Sequence, residues 1–179
     1  IIILVNLVVK NILFFLIFFL AAGCSKNSQF STQISCPNVL FSSEHKNYIQ
    51  SSEESISLDN IEYQAEINNY KFIDGCSNNN DFFEADLSIF FLIQSDKTLT
   101  GNIALPYYIA ILDFEDNLVD IQYYNLNDSL EVNKKNQDFI ETGVTTNVKI
   151  KMPISDYEKN KIYILLGFML DKEKLKILN

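Results

Sequence analysis

The sequence offers few side chains that could transfer protons near neutral pH. His45 is the only histidine, and we expect it to be a solvated surface residue in a polar loop between Glu44 and Lys46. A serine hydrolase needs a buried histidine base and commonly a Gly-x-Ser-x-Gly turn, which does not occur in the chain. The five glycines are spread singly, so there is no glycine-rich loop to bind a phosphate.

Carboxylates are plentiful, and three of them lie close together at Asp113, Glu115 and Asp116. Two carboxylates are the minimum for glycoside hydrolysis, and carboxylate oxygens could also hold calcium. These three fall in a predicted hairpin turn, where acidic residues are common for conformational reasons, and they lack the spacing of a calcium loop. We therefore expect no enzyme activity, no metal and no other cofactor, and a hydrolase that uses acidic residues ranks third among the functions considered.

Two tyrosine pairs, Tyr107-Tyr108 and Tyr123-Tyr124, are the remaining candidates for a ligand site. They flank the predicted turn, so they would face each other across a hairpin. One tyrosine of each pair should enter the core, and the other should cover the sheet or stack on a ligand. Packing is the more common role of such pairs, and a sugar-binding role is kept as the alternative.

Cys24 ends a segment that is typical of secretion. Eleven apolar residues, Ile12 to Ala22, follow Lys10, as in a signal peptide. The five residues from position 20, Leu-Ala-Ala-Gly-Cys, resemble the lipobox of bacterial lipoproteins. This resemblance implies that a diacylglycerol is joined to the Cys24 sulfur, that the chain is cut between Gly23 and Cys24, and that the new amine is acylated.

An uncleaved transmembrane anchor is the alternative, since Ile1 to Ala22 could span ~30 Å of hydrocarbon at ~1.5 Å per residue. Asn6 and Lys10 interrupt that run. With the lipid attached, the mature protein would stay on the membrane. Ser25 follows the cysteine where an Asp would retain a lipoprotein at the inner membrane. The resemblance thus implies an outer-membrane protein that faces the periplasm.

Two cysteines, Cys36 and Cys76, remain once Cys24 is assigned to the lipid. In an oxidising compartment an even pair is typical of a disulfide, which would here close a loop of about 41 residues. Two free thiols or metal ligands are the alternative, but a lone pair lacks the third and fourth ligands of a zinc site.

Charge and length limit the remaining classes. Removal of residues 1–23 from the 179-residue chain leaves 156 residues and takes the net charge from −9 to −10, because Lys10 is lost. The chain contains no arginine and no basic cluster, which argues against a nucleic-acid partner. We expect a flexible tether at 24–35 and one domain at 36–179.

Period-two alternation of apolar residues dominates that domain and predicts strands with one buried face. The clearest examples are 61–67, 83–93, 144–152 and 162–170, with a bulge at Asn68-Asn69 and a turn from Asp74 to Asp81. The segment Tyr107–Leu112 is apolar throughout, which predicts a central strand covered on both faces.

Other segments have a weaker sequence pattern. Residues 36–41 predict a first edge strand, residues 42–59 a polar loop, and residues 125–138 at best a short edge strand near Ser129 to Val132. Asp171 should cap a C-terminal helical turn, Lys172 to Leu178. The whole pattern predicts an all-β, antiparallel β-sandwich of immunoglobulin or fibronectin type III kind.

Taken together, several motifs resemble small, uncharacterised lipoproteins of alphaproteobacterial type. They are the lipobox, Cys36-Pro37, the strand 63–67 that runs to Cys76, Pro106-Tyr107-Tyr108, and the run 163–168. The resemblance covers nearly all of the mature chain, but these motifs are mostly core and turn residues. It implies the anchor and the cysteine pair, and it names no activity.

We therefore expect a membrane-anchored lipoprotein that faces the periplasm and has a structural or protein-interaction role in the cell envelope. A module that binds sugar or envelope glycan is the alternative function. The expected partners are the membrane, through the N-terminal lipid, and an envelope protein, whereas the oligomeric state stays open.

Overall fold

The computed structural model describes residues 32–53, 55–79, 81–95, 99–132, 139–155, 157 and 161–178. These ranges contain nine β-strands and a C-terminal helix, Lys172–Leu178. The strands are β1 (Thr32–Ile34), β2 (Asn38–Phe41), β3 (Asn47–Ser51), β4 (Ile61–Asn79), β5 (Phe82–Ser95), β6 (Leu99–Leu112), β7 (Leu118–Val132), β8 (Ile140–Pro153) and β9 (Tyr163–Phe168). Across the ranges given, we find no helix with the length and apolar character that a membrane span requires.

The strands form two sheets. In the first sheet, β4, β5 and β8 are neighbours, and β1 and β3 both pair with the other edge of β4. The second sheet has the order β2-β9-β6-β7. All pairs are antiparallel except β2 with β9. The predicted all-β class is confirmed, with a sandwich-like arrangement, and the immunoglobulin or fibronectin type stays a prediction.

One hydrophobic core contains side chains of both sheets. Phe91 of β5 lies with its ring centroid 5.3 Å from that of Tyr107 of β6 and 5.7 Å from that of Phe168 of β9. The predicted alternation is confirmed in β5, where every second residue from Phe83 to Ile93 is at most 3% exposed. Full burial of one such side chain contributes roughly 1.5–3 kcal/mol, so this stripe is a major source of stability.

Strand β4 contains two bulges. The first, between Ile67 and Asn69, lies where the sequence predicted it. The second lies between Ile73 and Cys76, where Asp74 (φ 59°) and Gly75 (φ 80°) are left-handed. The predicted turn from Asp74 to Asp81 is therefore confirmed only at its end: Asp74 and Gly75 kink the strand without reversing it, β4 continues to Asn79, and the chain reverses between the register partners Asn79 and Phe82.

Two further predictions from polar composition are wrong. Residues 42–59 were expected to be a loop, but β3 lies within them and buries Tyr48 (3% exposed) and Ile49 (1%). Residues 125–138 were expected to hold at most a short strand, but β7 extends without a break from Leu118 to Val132. In both cases pairing with a neighbouring strand, β4 or β6, determines the structure more than the local pattern does.

The predicted disulfide is confirmed. Cys36 and Cys76 are bonded, with their Cα atoms 5.2 Å apart, and the bond joins the β1–β2 connection to the second bulge of β4. β1 lies within the range 24–35 that was expected to be a tether, so sheet pairing starts before Cys36. The division into signal peptide and tether stays a prediction, because residues 1–31 lie outside the described ranges.

The C-terminal helix begins as predicted. The backbone N–H of Lys174 donates a hydrogen bond to Oδ1 of Asp171 at 2.8 Å, which is the interaction expected of an N-cap. Lys174 Nζ then lies 4.4 Å from the centroid of the Tyr48 ring and donates to its hydroxyl at 3.0 Å. This contact fastens the helix to β3.

We expect removal of the disulfide to destabilise the fold by about 4 kcal/mol, because the bond closes a loop between residues 40 positions apart. The change is the double substitution Cys36→Ala with Cys76→Ala, and the measurement is urea unfolding at pH 7. The unaltered protein in dithiothreitol should unfold at the same urea concentration as the double variant. A midpoint that reductant leaves unchanged would contradict this prediction.

Candidate functional site

In the acidic turn between β6 and β7, the Asp113 carboxylate hydrogen-bonds to the backbone of the turn itself. Oδ1 of Asp113 accepts hydrogen bonds from the backbone N–H groups of Glu115 and Asn117, both at 2.9 Å, and Oδ2 accepts one from the Asn117 side chain at 3.0 Å. The Asn117 hydrogen bonds hold the pKa of Asp113 below its usual value. No group of three or more His, Cys, Asp or Glu side chains in the described ranges is placed to hold a metal.

The expectation that His45 is a free surface residue is wrong. The ring is half-buried, and its Nδ1 donates a hydrogen bond to the carbonyl oxygen of Phe168 at 2.9 Å. The backbone N–H of Phe168 donates in return to the His45 carbonyl at 2.7 Å. The ring also meets the edge of Tyr108, with centroids 5.8 Å apart. His45 thus extends the pairing beside β9, and the sequence carries no signal for this role.

Tyr107 and Tyr124 are the members of the two tyrosine pairs that point inward, as predicted. They are register partners on β6 and β7, and their rings stack with centroids 5.3 Å apart. The Tyr124 hydroxyl donates to Gln122 at 2.6 Å, and Gln122 donates to Asp120 at 2.9 Å. Burial raises the pKa of Tyr107 to about 12, although a hydrogen bond with Thr146 of β8 opposes this shift.

Tyr108 and Tyr123 point to the outside of the second sheet. Tyr108 is half-buried because its ring lies over Gly167 of β9, where a Cβ atom would be only 2.5 Å from the Tyr108 hydroxyl oxygen. Tyr123, its register partner on β7, is 63% exposed. The ligand-binding role of the tyrosines stays a prediction. Of the four, only Tyr108 and Tyr123 lie on the outer surface, where a ligand could reach them.

The two outer tyrosines belong to a larger apolar surface. Strand register places Leu40, Leu165, Ala110 and Ile121 side by side across all four strands of the second sheet. Tyr108 and Tyr123 lie on one side of this row, and Tyr163, Leu112 and Leu118 on the other. We call these nine residues, with Phe114 in the adjoining turn, the apolar outer face.

Exposure marks this face as unusual. Seven large hydrophobic side chains are exposed in the described ranges, and four of them belong to the apolar outer face: Leu40 (51%), Leu118 (58%), Tyr123 (63%) and Phe114 (67%). The face contains no charged residue. Contiguous exposed apolar surfaces of this kind are typical of interaction sites.

The outer surface of the first sheet is different. Glu84 of β5 accepts from Lys149 and Lys151 of β8, with N to O distances of 3.3 and 2.9 Å. Gln94 donates to Glu141 in the same way at 2.9 Å. One sheet therefore has a charged, solvated outer surface, as antiparallel sheets commonly have, whereas the outer surface of the other sheet is apolar over the part that forms the apolar outer face.

A hydrogen bond joins the hairpin turn to the apolar outer face. The Tyr163 hydroxyl donates to Oδ1 of Asp116 at 2.6 Å, and this bond raises the pKa of Tyr163. Asp116 adopts a left-handed backbone (φ 65°), which an Asp tolerates better than most residues. The turn is thereby held beside β9, and Phe114 is presented next to the face.

Two depressions lie elsewhere on the surface. One of about 290 Å³ is lined by Leu58, Tyr63, Ser95 and neighbouring residues, and one of about 360 Å³ lies beside Cys36, Tyr157 and Lys161. Neither brings together a histidine with a nucleophile or two carboxylates. The apolar outer face is therefore the strongest candidate site.

Part of this face is visible in the sequence pattern. Tyr107–Leu112 is apolar at every position, which predicted a strand covered on both faces, whereas 162–170 was predicted as a strand with one buried face. The structure instead leaves one of the two surfaces exposed to solvent at its rim. No protein-family model, no curated protein and no solved structure matches this chain.

We expect Tyr107→Phe to change the response to alkaline pH. Between pH 10 and about 12 the unfolded chain ionises Tyr107 while the folded chain keeps it neutral, so the unaltered protein loses stability as pH rises through this window. At pH 7 the variant should be about 1 kcal/mol less stable, because it lacks the hydrogen bond between the Tyr107 hydroxyl and Thr146.

At pH 11 this difference should vanish, because the unaltered protein has lost about 1.4 kcal/mol that the variant does not lose. Urea unfolding at both pH values measures this. A variant that stays equally less stable at pH 7 and pH 11 would show that the Tyr107 phenol titrates normally.

Proposed function

We propose that this protein is a lipid-anchored lipoprotein of the bacterial cell envelope whose apolar outer face binds a partner protein. The observation that supports this function is the uncharged face that crosses all four strands of the second sheet, with its most exposed side chains at the rim. No enzymatic step is part of the proposal.

The physical reason is the cost of apolar surface in water. A half-exposed leucine or phenylalanine that becomes buried contributes roughly 1–2 kcal/mol, and Leu40, Leu118, Phe114 and Tyr123 would all gain this on docking. The face has no charged member, and the carboxylates nearest to it lie in the turn, where Asp116 already accepts a hydrogen bond from Tyr163. A partner that presents its own flat apolar surface would fit it best.

Attachment completes the proposal. The lipobox-like residues that end in Cys24 would place the lipid at the mature N-terminus, after cleavage behind Gly23. The Cys36–Cys76 bond is compatible with an oxidising compartment such as the periplasm. Outer-membrane anchoring with the body towards the periplasm, and an immunoglobulin or fibronectin type of sandwich, are parts of the same proposal.

A glycan-binding module is the second candidate, and one observation favours it. Tyr123 is 63% exposed, and Asn125 and Asn127 follow it on the same surface of β7 and are also exposed. An open aromatic ring beside amide groups is a common way to hold a sugar, since the ring packs on C–H groups while amides bond hydroxyls.

A photo-crosslinking residue placed in intact cells tests the partner. We expect p-benzoylphenylalanine at position 114 or 123 to give a defined protein adduct, identified by mass spectrometry, and the same residue at position 58 to give none. Leu58 is the matched control because it is 80% exposed but lies outside the apolar outer face.

Leu118→Ser should abolish the adduct from position 123, whereas Leu58→Ser should not. Both substitutions replace exposed side chains, so stability should change by less than about 0.5 kcal/mol. Equal adducts from positions 58 and 123 would contradict the proposal. The second candidate would be favoured by a different pair of results: no protein adduct forms, and the protein binds a glycan array in a way that Tyr123→Ala abolishes.

The anchor has its own test. Cys24→Ser removes the sulfur that would accept the lipid, so we expect the variant to keep its signal peptide and to lose the acyl chains from its intact mass. Ser25→Ala serves as the control and should be processed normally. A Cys24→Ser protein that is cleaved and still acylated would show that the anchor lies elsewhere.

A further inference from the structure

Strand β8 has a long free edge. It pairs with β5 at all 14 of its positions without a register shift. It is the last strand of the first sheet, so its other edge has no partner strand in the ranges that the structure describes. Such an edge presents backbone N–H and C=O groups to which a further strand can bind.

The other edges carry features that discourage this. β2 and β3 are only four and five residues long. β7 has an irregularity opposite Ile111 and Leu112, and the carboxylate of Asp120 lies on its inner side, hydrogen-bonded to Gln122. Short strands, bulges and inward charges are the usual protection of a sheet edge, and described residues of β8 show none of the three.

Lysines on β8 could give protection, but a carboxylate on the neighbouring strand partly neutralises their charge. Lys149 and Lys151 both lie within 3.3 Å of the Glu84 carboxylate on β5. Lys151 is further engaged, because its Nζ lies 4.4 Å from the centroid of the Phe82 ring. Lys149 has the more exposed side chain of the two, at 58%.

The chemical pattern of β8 is nearly symmetric about Thr145. Four of the five pairs of residues at equal distances on either side are both β-branched or oppositely charged: Val144 with Thr146, Thr142 with Val148, Glu141 with Lys149, and Ile140 with Ile150; the fifth pair is Gly143 with Asn147. The even-numbered residues lie on the core side and the odd-numbered ones on the solvent side, so each pair shares one face. An antiparallel copy of the strand would therefore match it.

We propose that β8 pairs with β8 of a second copy of this chain, antiparallel about a two-fold axis at Thr145, so that Glu141 of each copy lies opposite Lys149 of the other. The first sheets of the two copies would become one continuous sheet. The pairing is isologous, as in most homodimers, and uses a surface distinct from the apolar outer face.

Register is limited by the faces and charges of β8. A shift of the pairing by one residue would set core-side residues opposite solvent-side ones. An axis at Thr146 would keep the faces and set Glu141 opposite Lys151. It would leave Lys149 opposite Gly143 and would engage Lys151, which lies closer to Glu84 than Lys149 does (2.9 Å against 3.3 Å) and also contacts the Phe82 ring. The axis at Thr145 is therefore preferred.

Charge reversal tests this interface in the full chain, purified in non-ionic detergent and weighed by sedimentation equilibrium. We expect the unaltered protein to have twice the mass of one chain, and Lys149→Glu to have the mass of one. The double variant Lys149→Glu with Glu141→Lys should recover the dimer, because the two charges are exchanged across the axis.

Lys151→Glu is the matched control. It makes the same change in net charge and also removes a partner of Glu84, but it lies opposite position 139 and should leave the dimer intact. Circular dichroism checks that each variant is folded. A monomeric unaltered protein, an equal loss of dimer in both single lysine variants, or a double variant that stays monomeric would overturn the proposal.

Cysteine crosslinking tests the position of the axis. Thr145→Cys would bring two identical cysteines face to face, with Cβ atoms about 4.5–5.5 Å apart, so oxidation should give a covalent dimer on a non-reducing gel. Asn147→Cys is the control: its two copies would be about 14 Å apart along the strands and should not be linked. Both variants keep the native cysteines, so equal crosslinking would overturn the register.

Discussion

The rings of Phe91, Tyr107 and Phe168 meet between the two sheets, and the arrangement of the strands depends on this contact. All three side chains are at most 2% exposed. Because side chains alternate along a strand, a slip of one residue would replace each ring by its neighbour. In β9 one neighbour of Phe168 is Gly167, so a slip in that direction would leave a hole at the centre of the core.

This constraint also decides which side chains of the second sheet face outward. In β6 the odd-numbered residues from Ile103 to Ile111 face the core, and Tyr108 and Ala110 lie between them on the outer side. The register with β9 agrees with this, because it sets Tyr107 opposite Phe168 and Tyr108 opposite Gly167. Tyr108 then covers Gly167, and the rest of its row is left facing outward as the apolar outer face.

Groups that could suggest chemistry are used by the fold. Asp113 closes the β6–β7 turn, and His45 continues the pairing beside β9. Function is therefore better sought on surfaces than in a pocket. The apolar outer face and the β8 edge point in different directions, one across the second sheet and one along the border of the first. A dimer through β8 would leave both copies of the apolar outer face free for a partner.

The sequence alone determined the all-β class, the buried stripe of β5, the first bulge of β4, the cysteine pair and the Asp171 cap. These features depend on alternation, on a few neighbouring residues, or on a count of cysteines. Only the tertiary structure decided that residues 47–51 form a strand, that β7 continues to Val132, that His45 is held by β9, and that the outer surface around β6 is not covered by another layer in the described ranges. The physical reason is that each of these depends on parts of the chain distant in sequence, whose placement no local pattern contains.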